Sequence, residues 1–218
     1  MKTKKIIVTS LLLAVGTILS LLKLFELPFG GTVTVASMVP IVLISYIYGT
    51  KWGLLSAFIY SILQLILGIG GGIITTMFLP GEGQMVLSHA ITICLLDYIL
   101  AYVAMGLGGI FKGRFRHATW EIILGVIIAL GLRYLIHTIS GYIFYGAWAE
   151  WFFADSTGLI QISAFKPFCQ WVMANLSGKT LALFYSIIYN GAYMIPEIII
   201  SAILSPIVYG TAKKSKVI

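Results

Sequence analysis

Six long apolar segments follow one another along this chain and limit its fold more than any other feature. They span roughly residues 6–24, 33–50, 53–69, 86–111, 119–146 and 181–210. A helix needs about 20 apolar residues to cross a bilayer. Charged residues make up only 10% of the 218 residues, against about 25% in soluble domains. The sequence therefore predicts an all-α membrane protein with six transmembrane helices in a single helical bundle, forming one membrane domain over residues 1–218.

The basic residues predict the orientation of this bundle. Those at one set of helix ends are Lys2, Lys4, Lys5, Lys51, Lys112, Arg114, Arg116, Lys213, Lys214 and Lys216, and those at the other set are Lys23, Lys166 and Lys179. Because Lys and Arg concentrate on the cytoplasmic side of membrane proteins, both termini of this multi-pass protein are expected inside the cell. The net charge of +7 comes from these scattered clusters rather than from one basic patch, so no nucleic-acid partner is expected.

The segment 147–180 separates the last two apolar segments and is rich in Trp and Phe. Indole rings favour the boundary between membrane and water. We expect an outer loop that contains a short helix at the surface. This helix has two alternative roles, either as an anchor or as a lid over an outward-facing pocket.

Three ionisable residues are predicted to lie at membrane depth, where each needs a partner or a function. Asp97 lies midway along the fourth segment, and Arg133 and His137 lie four residues apart on the fifth. Asp97 would either pair with Arg133 or serve as the counter-charge for a cationic ligand. Tyr145 and Gly141 continue the helix face of Arg133 and His137 in steps of four, so this face favours a ligand pocket.

The sixth segment adds further polar groups on one helix face. Tyr185, Tyr189 and Tyr193 are spaced by four, and Asn190 lies beside them. An Asn amide can both donate and accept hydrogen bonds to a heterocycle, although it also commonly joins membrane helices. Glu197 follows a proline, and its carboxyl group would bond a freed backbone N–H or pair with Arg133.

The sequence contains no motif for hydrolytic or ATPase chemistry, and neither a metal site nor a cofactor is expected. Cys94 and Cys169 are far apart and indicate no disulfide framework. No catalytic residue is predicted. A distant alternative, an enzyme using Asp97 and His137 for acid–base chemistry, lacks a nucleophile–base pair.

Four stretches resemble the thiamine-specific substrate-binding component of energy-coupling factor transporters. They are Gly30–Pro40, Leu95–Tyr98, Arg133–His137 with Gly141, and Tyr185–Glu197. The resemblance implies six helices, both termini inside, and a thiamine site near the outer face under a loop. It implies that Asp97 faces the cationic thiazolium and helps to hold the pyrimidine, and that Tyr98 follows this acidic residue as in the family.

The resemblance also assigns roles to residues of the last two segments. Arg133 falls at a basic position, and His137 matches the pocket histidine. Tyr145 falls at an aromatic residue that stacks on the ligand, and Tyr185 and Asn190 match residues that contact the aminopyrimidine. The chain departs from the family in lacking a Trp near Gly31, in having Ile93 where a Gln is expected, and in a longer outer loop.

The same resemblance implies partners. Family members dock through a small-x-x-x-small motif on the first helix to a shared transmembrane subunit, which couples to two ATPase subunits. Ser10 and Ala14 fit this motif. The implied function is the capture of extracellular thiamine for ATP-driven uptake by the complex. The nearer alternative is a binding subunit for another vitamin or cationic heterocycle.

Overall fold

The computed structural model describes residues 2–27, 30–81 and 83–215, and Lys216 of the charge pattern lies outside them. The chain begins with α1 (Lys2–Leu21), whose length suits a membrane crossing. A short antiparallel hairpin follows, with strands β1 (Lys23–Glu26) and β2 (Thr32–Thr34). The inward placement of both termini stays a prediction.

Five helical segments in the described part of the chain are long and apolar enough to cross a membrane. They are Thr3–Leu21, Thr50–Gly70, Leu87–Gly109, Ala118–Phe144 and Gly178–Lys214. This confirms the helical membrane fold, because each segment satisfies its own backbone hydrogen bonds within lipid. We label the last four α3, α5, α6 and α9; a short helix, α4 (Ile73–Phe78), follows α3.

The second predicted helix is shorter than expected. Within the predicted segment 33–50, the helix α2 covers only Val39–Tyr48. The residues before it pair with β1 and then turn through Ala36, which has a φ of +59°. Pro40 lies in the first turn of α2, where its missing N–H costs no intrahelical bond. Gly49 alone separates α2 from α3 and has a φ of +90°, so the expected tight hairpin of these two helices is present.

The helix α5 changes its winding along its length. Its middle, Cys94–Leu100, is a π-helix, and its last part, Ala104–Gly109, is a 3₁₀-helix. The narrow 3₁₀ part packs closely against α2, where Ser45 Oγ donates to the Gly106 carbonyl at 2.5 Å and accepts from the Gly109 N–H at 2.9 Å. Hydroxyl bridges of this kind join membrane helices whose small residues let the backbones approach.

The segment 147–180, which we call the outer segment after its predicted side of the membrane, folds onto the last helix, α9. It contains two short helices, α7 (Ala149–Ala154) and α8 (Lys166–Asn175). Phe153 is fully buried among aromatic neighbours and packs against Phe184 of α9 at a centroid distance of 6.1 Å. The helix α9 continues through Pro196 and Pro206. The two alternative roles of this segment, as a lid or as an anchor, both stay predictions.

Candidate functional site

A cavity opens among the hairpin, α3, α5, α6 and α9. About 980 Å³ of space lies between its walls, and this figure includes open solvent at its mouth. The seven predicted ligand-binding residues all line it: Asp97, Tyr98, Arg133, His137, Tyr145, Tyr185 and Asn190. The fold therefore brings together residues that are up to 93 positions apart in the sequence.

Asp97 projects from the π-helical part of α5. Its Oδ1 lies 2.9 Å from His137 Nδ1, and its Oδ2 accepts a hydrogen bond from Ser140 Oγ at 2.8 Å. About 18% of the Asp97 side chain is exposed. Each carboxylate oxygen has two lone pairs, so both oxygens retain acceptor capacity toward the cavity. Single-turn π-helices are frequent at functional sites, but the sequence contained no signal for this one.

Arg133 is connected to Asp97 only through His137. Arg133 Nε donates to His137 Nε2 at 3.2 Å, which requires an unprotonated Nε2. The neutral imidazole then carries its hydrogen on Nδ1, and this N–H donates a hydrogen bond to Asp97. The sequence left open a direct ion pair between Asp97 and Arg133. The structure has instead a chain of hydrogen bonds from Arg133 through His137 to Asp97.

The remaining contacts of Arg133 are to two methionine sulfur atoms and one aromatic ring. Its Nη1 lies 3.2 Å from Met38 Sδ and 3.7 Å from Met105 Sδ. Its guanidinium carbon lies 4.0 Å from the ring centroid of Tyr102, a cation–π distance. No carboxylate of the described residues lies within salt-bridge distance of this guanidinium. Sequence reasoning missed Tyr102 and Met38, which also line the cavity.

Aromatic rings form one wall of the cavity, which we call the tyrosine wall (Tyr185, Tyr189 and Tyr193). Ring centroids of successive members are 5.6 Å and 6.1 Å apart. Their spacing by four in the sequence had already indicated a common face. Phe152 of α7 packs against the outer members, 5.3 Å from the Tyr185 ring and 6.0 Å from the Tyr189 ring. The outer segment therefore contacts this wall directly.

Asn190 both joins helices and faces the cavity. Its Nδ2 donates to the His137 carbonyl at 3.2 Å and to the Ser186 carbonyl at 2.9 Å, and its Oδ1 accepts from the Tyr193 hydroxyl at 2.7 Å. Both alternatives considered for this residue are therefore compatible with its position. Gly141 lets α9 approach α6 closely at this point, because a Cβ at residue 141 would collide with Ser186 Oγ.

The hairpin closes another side of the cavity with Gly30, Gly31, Thr32 and Thr34. The Gly31 N–H donates to the Tyr189 hydroxyl at 3.3 Å. A Cβ at Gly31 would lie 2.7 Å from Tyr193 Cδ1, so only glycine fits against the tyrosine wall. Ser20 and Gln64, which are joined by a 3.0 Å hydrogen bond, complete this side. Nothing in the local sequence of either residue had indicated a site.

The predicted docking residues lie elsewhere. Ser10 and Ala14 are exposed on α1 and do not line the cavity. Cys94 and Cys169 are free thiols. Within residues 2–27, 30–81 and 83–215, no group of three or more His, Cys, Asp or Glu side chains could hold a metal ion.

Comparison with known proteins identifies the family. The chain is 27% identical over 221 residues to the thiamine transporter ThiT of Bacillus subtilis, covering 96% of this chain and 92% of that protein. It is 30% identical to ThiT of Lacticaseibacillus paracasei over about half of each chain, namely 51% and 54%. A solved structure of ThiT from Listeria monocytogenes shares the fold, with a TM-score of 0.64, 20% identity and coverage of 98% and 97%. Residues 6–151 match the family model for thiamine transporter proteins. This chain therefore belongs to the thiamine transporter protein family, Thia_YuaJ.

Proposed function

We propose that this chain is the thiamine-binding S component of an energy-coupling factor importer, which captures extracellular thiamine in the cell membrane of a prokaryote. The observation that carries this proposal is the position of Asp97, an ionisable side chain in a cavity within the membrane domain. A carboxylate at this depth needs a function, and neutralising a permanent cation supplies one. The family consists of transport proteins, so the alternative of a membrane enzyme is wrong.

Both halves of thiamine match the chemistry of the cavity. The thiazolium carries a permanent positive charge, which the Asp97 carboxylate would stabilise. The aminopyrimidine is flat, and the remaining lone pairs of Asp97 Oδ2 and Asn190 Oδ1 are suitable acceptors for its amine. His137, whose two ring nitrogens bond Arg133 and Asp97, would hold this carboxylate in place. We assign Tyr145, which lines the cavity, to stacking on the ligand, because aromatic rings favour flat heterocycles. Tyr98 and Tyr185 would complete the walls.

The energy for uptake would come from partner subunits. We propose that α1 docks on the transmembrane coupling subunit, which is bound in turn to two ATPase subunits. Ser10 and Ala14 support this because both are exposed, lie one helical turn apart, and are small enough to let another helix approach closely. Large apolar side chains such as Ile7 and Leu11 flank them and are more than half exposed, as expected for a helix that faces lipid or another helix.

A binding titration of the purified protein tests the thiamine assignment. Intrinsic fluorescence should change on thiamine addition, because tyrosines surround the cavity, and Asp97→Asn should weaken binding by at least about 10- to 100-fold, the value of a charged hydrogen bond. Asp155→Asn is the matched control, since the Asp155 side chain is exposed in the outer segment and among the described residues bonds only Thr157. Unchanged binding in Asp97→Asn, or no binding of thiamine by the unmodified protein, would refute the proposal.

A further inference from the structure

Arg133 is a buried cation in a cavity that is proposed to bind a cation, and the proposed function leaves it without a role. Only 5% of this residue is exposed. A buried charge without an opposite charge beside it is unfavourable, and no carboxylate of the described residues lies within salt-bridge distance of the guanidinium. Glu197, one of the partners expected from the sequence, accepts hydrogen bonds from the Thr34 N–H and Oγ1, and not from Arg133 or a freed helix N–H. The position of this guanidinium therefore needs another reason.

The surroundings of the Arg133 side chain orient its Nε toward His137. Nη1 lies 3.2 Å from Met38 Sδ and 3.7 Å from Met105 Sδ, and the guanidinium carbon lies 4.0 Å from the Tyr102 ring centroid. A guanidinium is planar, so its N–H groups point in fixed directions. With the guanidinium held by these three groups, its Nε–H donates to His137 Nε2 at 3.2 Å. The second nitrogen of the imidazole thus faces a donor that keeps its proton at every physiological pH.

The other groups around the His137 ring do not oppose a second proton by their charge. On α5, Asp97 lies 2.9 Å from Nδ1, and a carboxylate beside an imidazole favours the protonated ring. On α9, Tyr193 is uncharged at neutral pH and has its ring centroid 6.0 Å from that of His137, and Asn190 donates to the His137 backbone carbonyl. Burial also disfavours a charged ring, but His137 lines the cavity, whose mouth is open to solvent.

We propose that Arg133 is a positioning residue that keeps His137 neutral, so that the cavity binds its cationic ligand equally well at about pH 6 and about pH 8. This inference rests on the proposed function. A second proton on His137 would place a positive charge beside Asp97 and offset the carboxylate that we assign to the thiazolium. Because the guanidinium N–H already occupies Nε2, the ring keeps one proton, and Asp97 keeps its negative charge available to the ligand.

Replacing Arg133 with methionine tests this proposal. Methionine is unbranched and adaptable, and it suits the space beside Met38 and Met105, but it removes both the charge and the donor. His137 can then bind a second proton between about pH 8 and about pH 6. For a charge about 10 Å from the thiazolium and an effective dielectric constant of about 20, the repulsion corresponds to a factor of roughly 10 in affinity. We therefore expect the thiamine dissociation constant of Arg133→Met to rise about tenfold over this pH range, and that of the unmodified protein to stay constant.

Two further variants separate the charge of Arg133 from the effect of substitution itself. Arg133→Lys keeps a cation with N–H donors and should restore a dissociation constant that does not depend on pH. Arg116→Met is the matched control, because Arg116 is exposed in the loop before α6 and does not line the cavity.

A constant value in Arg133→Met, an equal loss of affinity at every pH in that variant, or a tenfold rise in Arg133→Lys would overturn the inference while the thiamine assignment stands. Failure of the unmodified protein to bind thiamine at any pH would instead refute the proposed function.

Nitrogen NMR gives a second measurement that does not depend on the folding of Arg133→Met. The chain contains 3 histidines, of which His89 and His117 are exposed and do not line the cavity. In a protein that carries His89→Gln and His117→Gln and isotope-labelled histidine, His137 should give the signals of a neutral ring with its hydrogen on Nδ1 at about pH 6. Signals of an imidazolium, or of a neutral ring with its hydrogen on Nε2, would overturn the inference.

Discussion

Replacing Gly31 with alanine should damage the ligand site through a steric collision. The new Cβ would lie 2.7 Å and 2.9 Å from Tyr193 Cδ1 and Cε1, and 3.1 Å from the Tyr189 hydroxyl. Carbon atoms pack best at about 3.5–4.0 Å, so the overlap is close to 1 Å. Tyr193 cannot easily move aside, because it is buried and its hydroxyl donates to Asn190 at 2.7 Å.

The hairpin should therefore shift away from the tyrosine wall in Gly31→Ala. Overpacking of this kind typically costs about 1–3 kcal/mol, which corresponds to a loss of roughly 5- to 150-fold in thiamine affinity if the shift opens the cavity. The assay is a fluorescence titration with thiamine, together with the melting temperature with and without ligand. Gly131→Ala is the matched control, because a Cβ there meets no atom within 4 Å and alanine favours the helix. Unchanged affinity and melting temperature in Gly31→Ala would refute the close packing of the hairpin on Tyr193.

Three further outcomes are expected. Ser45→Ala should lower the melting temperature by orphaning the Gly106 carbonyl, a loss of about 1–3 kcal/mol, without changing the thiamine dissociation constant, because Ser45 does not line the cavity. Phe152→Ala should speed thiamine dissociation in stopped-flow measurements if the outer segment is a lid, because it removes the ring that packs on the tyrosine wall; an unchanged rate would favour the anchor. Burial raises the pKa of the Cys169 thiol, and since the thiolate is the reactive form, Cys169 in a Cys94→Ala background should resist maleimide at neutral pH until the protein is denatured.

The charged residues that line the cavity could largely be predicted, because buried charges are rare in membranes. Ionisable side chains are energetically unfavourable at membrane depth unless they have a partner or a function, and Asp97, Arg133 and His137 stood out for this reason. The helical period placed Arg133, His137 and Tyr145 on one face, and all of them line the cavity. Their role in binding thiamine stays a prediction. Residues without such a signal, Ser20 and Gln64 among them, were missed because only packing brings α1 and α3 to this site.

The membrane-spanning helices could be predicted from the sequence alone, since lipid obliges each apolar segment to satisfy its own backbone hydrogen bonds. Tertiary structure decided the rest. The start of segment 33–50 pairs as a strand with β1 instead of forming a helix. The π-helical turn sets the direction of Asp97, His137 separates it from Arg133, and Thr34 bonds Glu197 across 163 residues. Such contacts depend on which groups meet when the helices pack, and the local sequence around each residue does not indicate its distant partners.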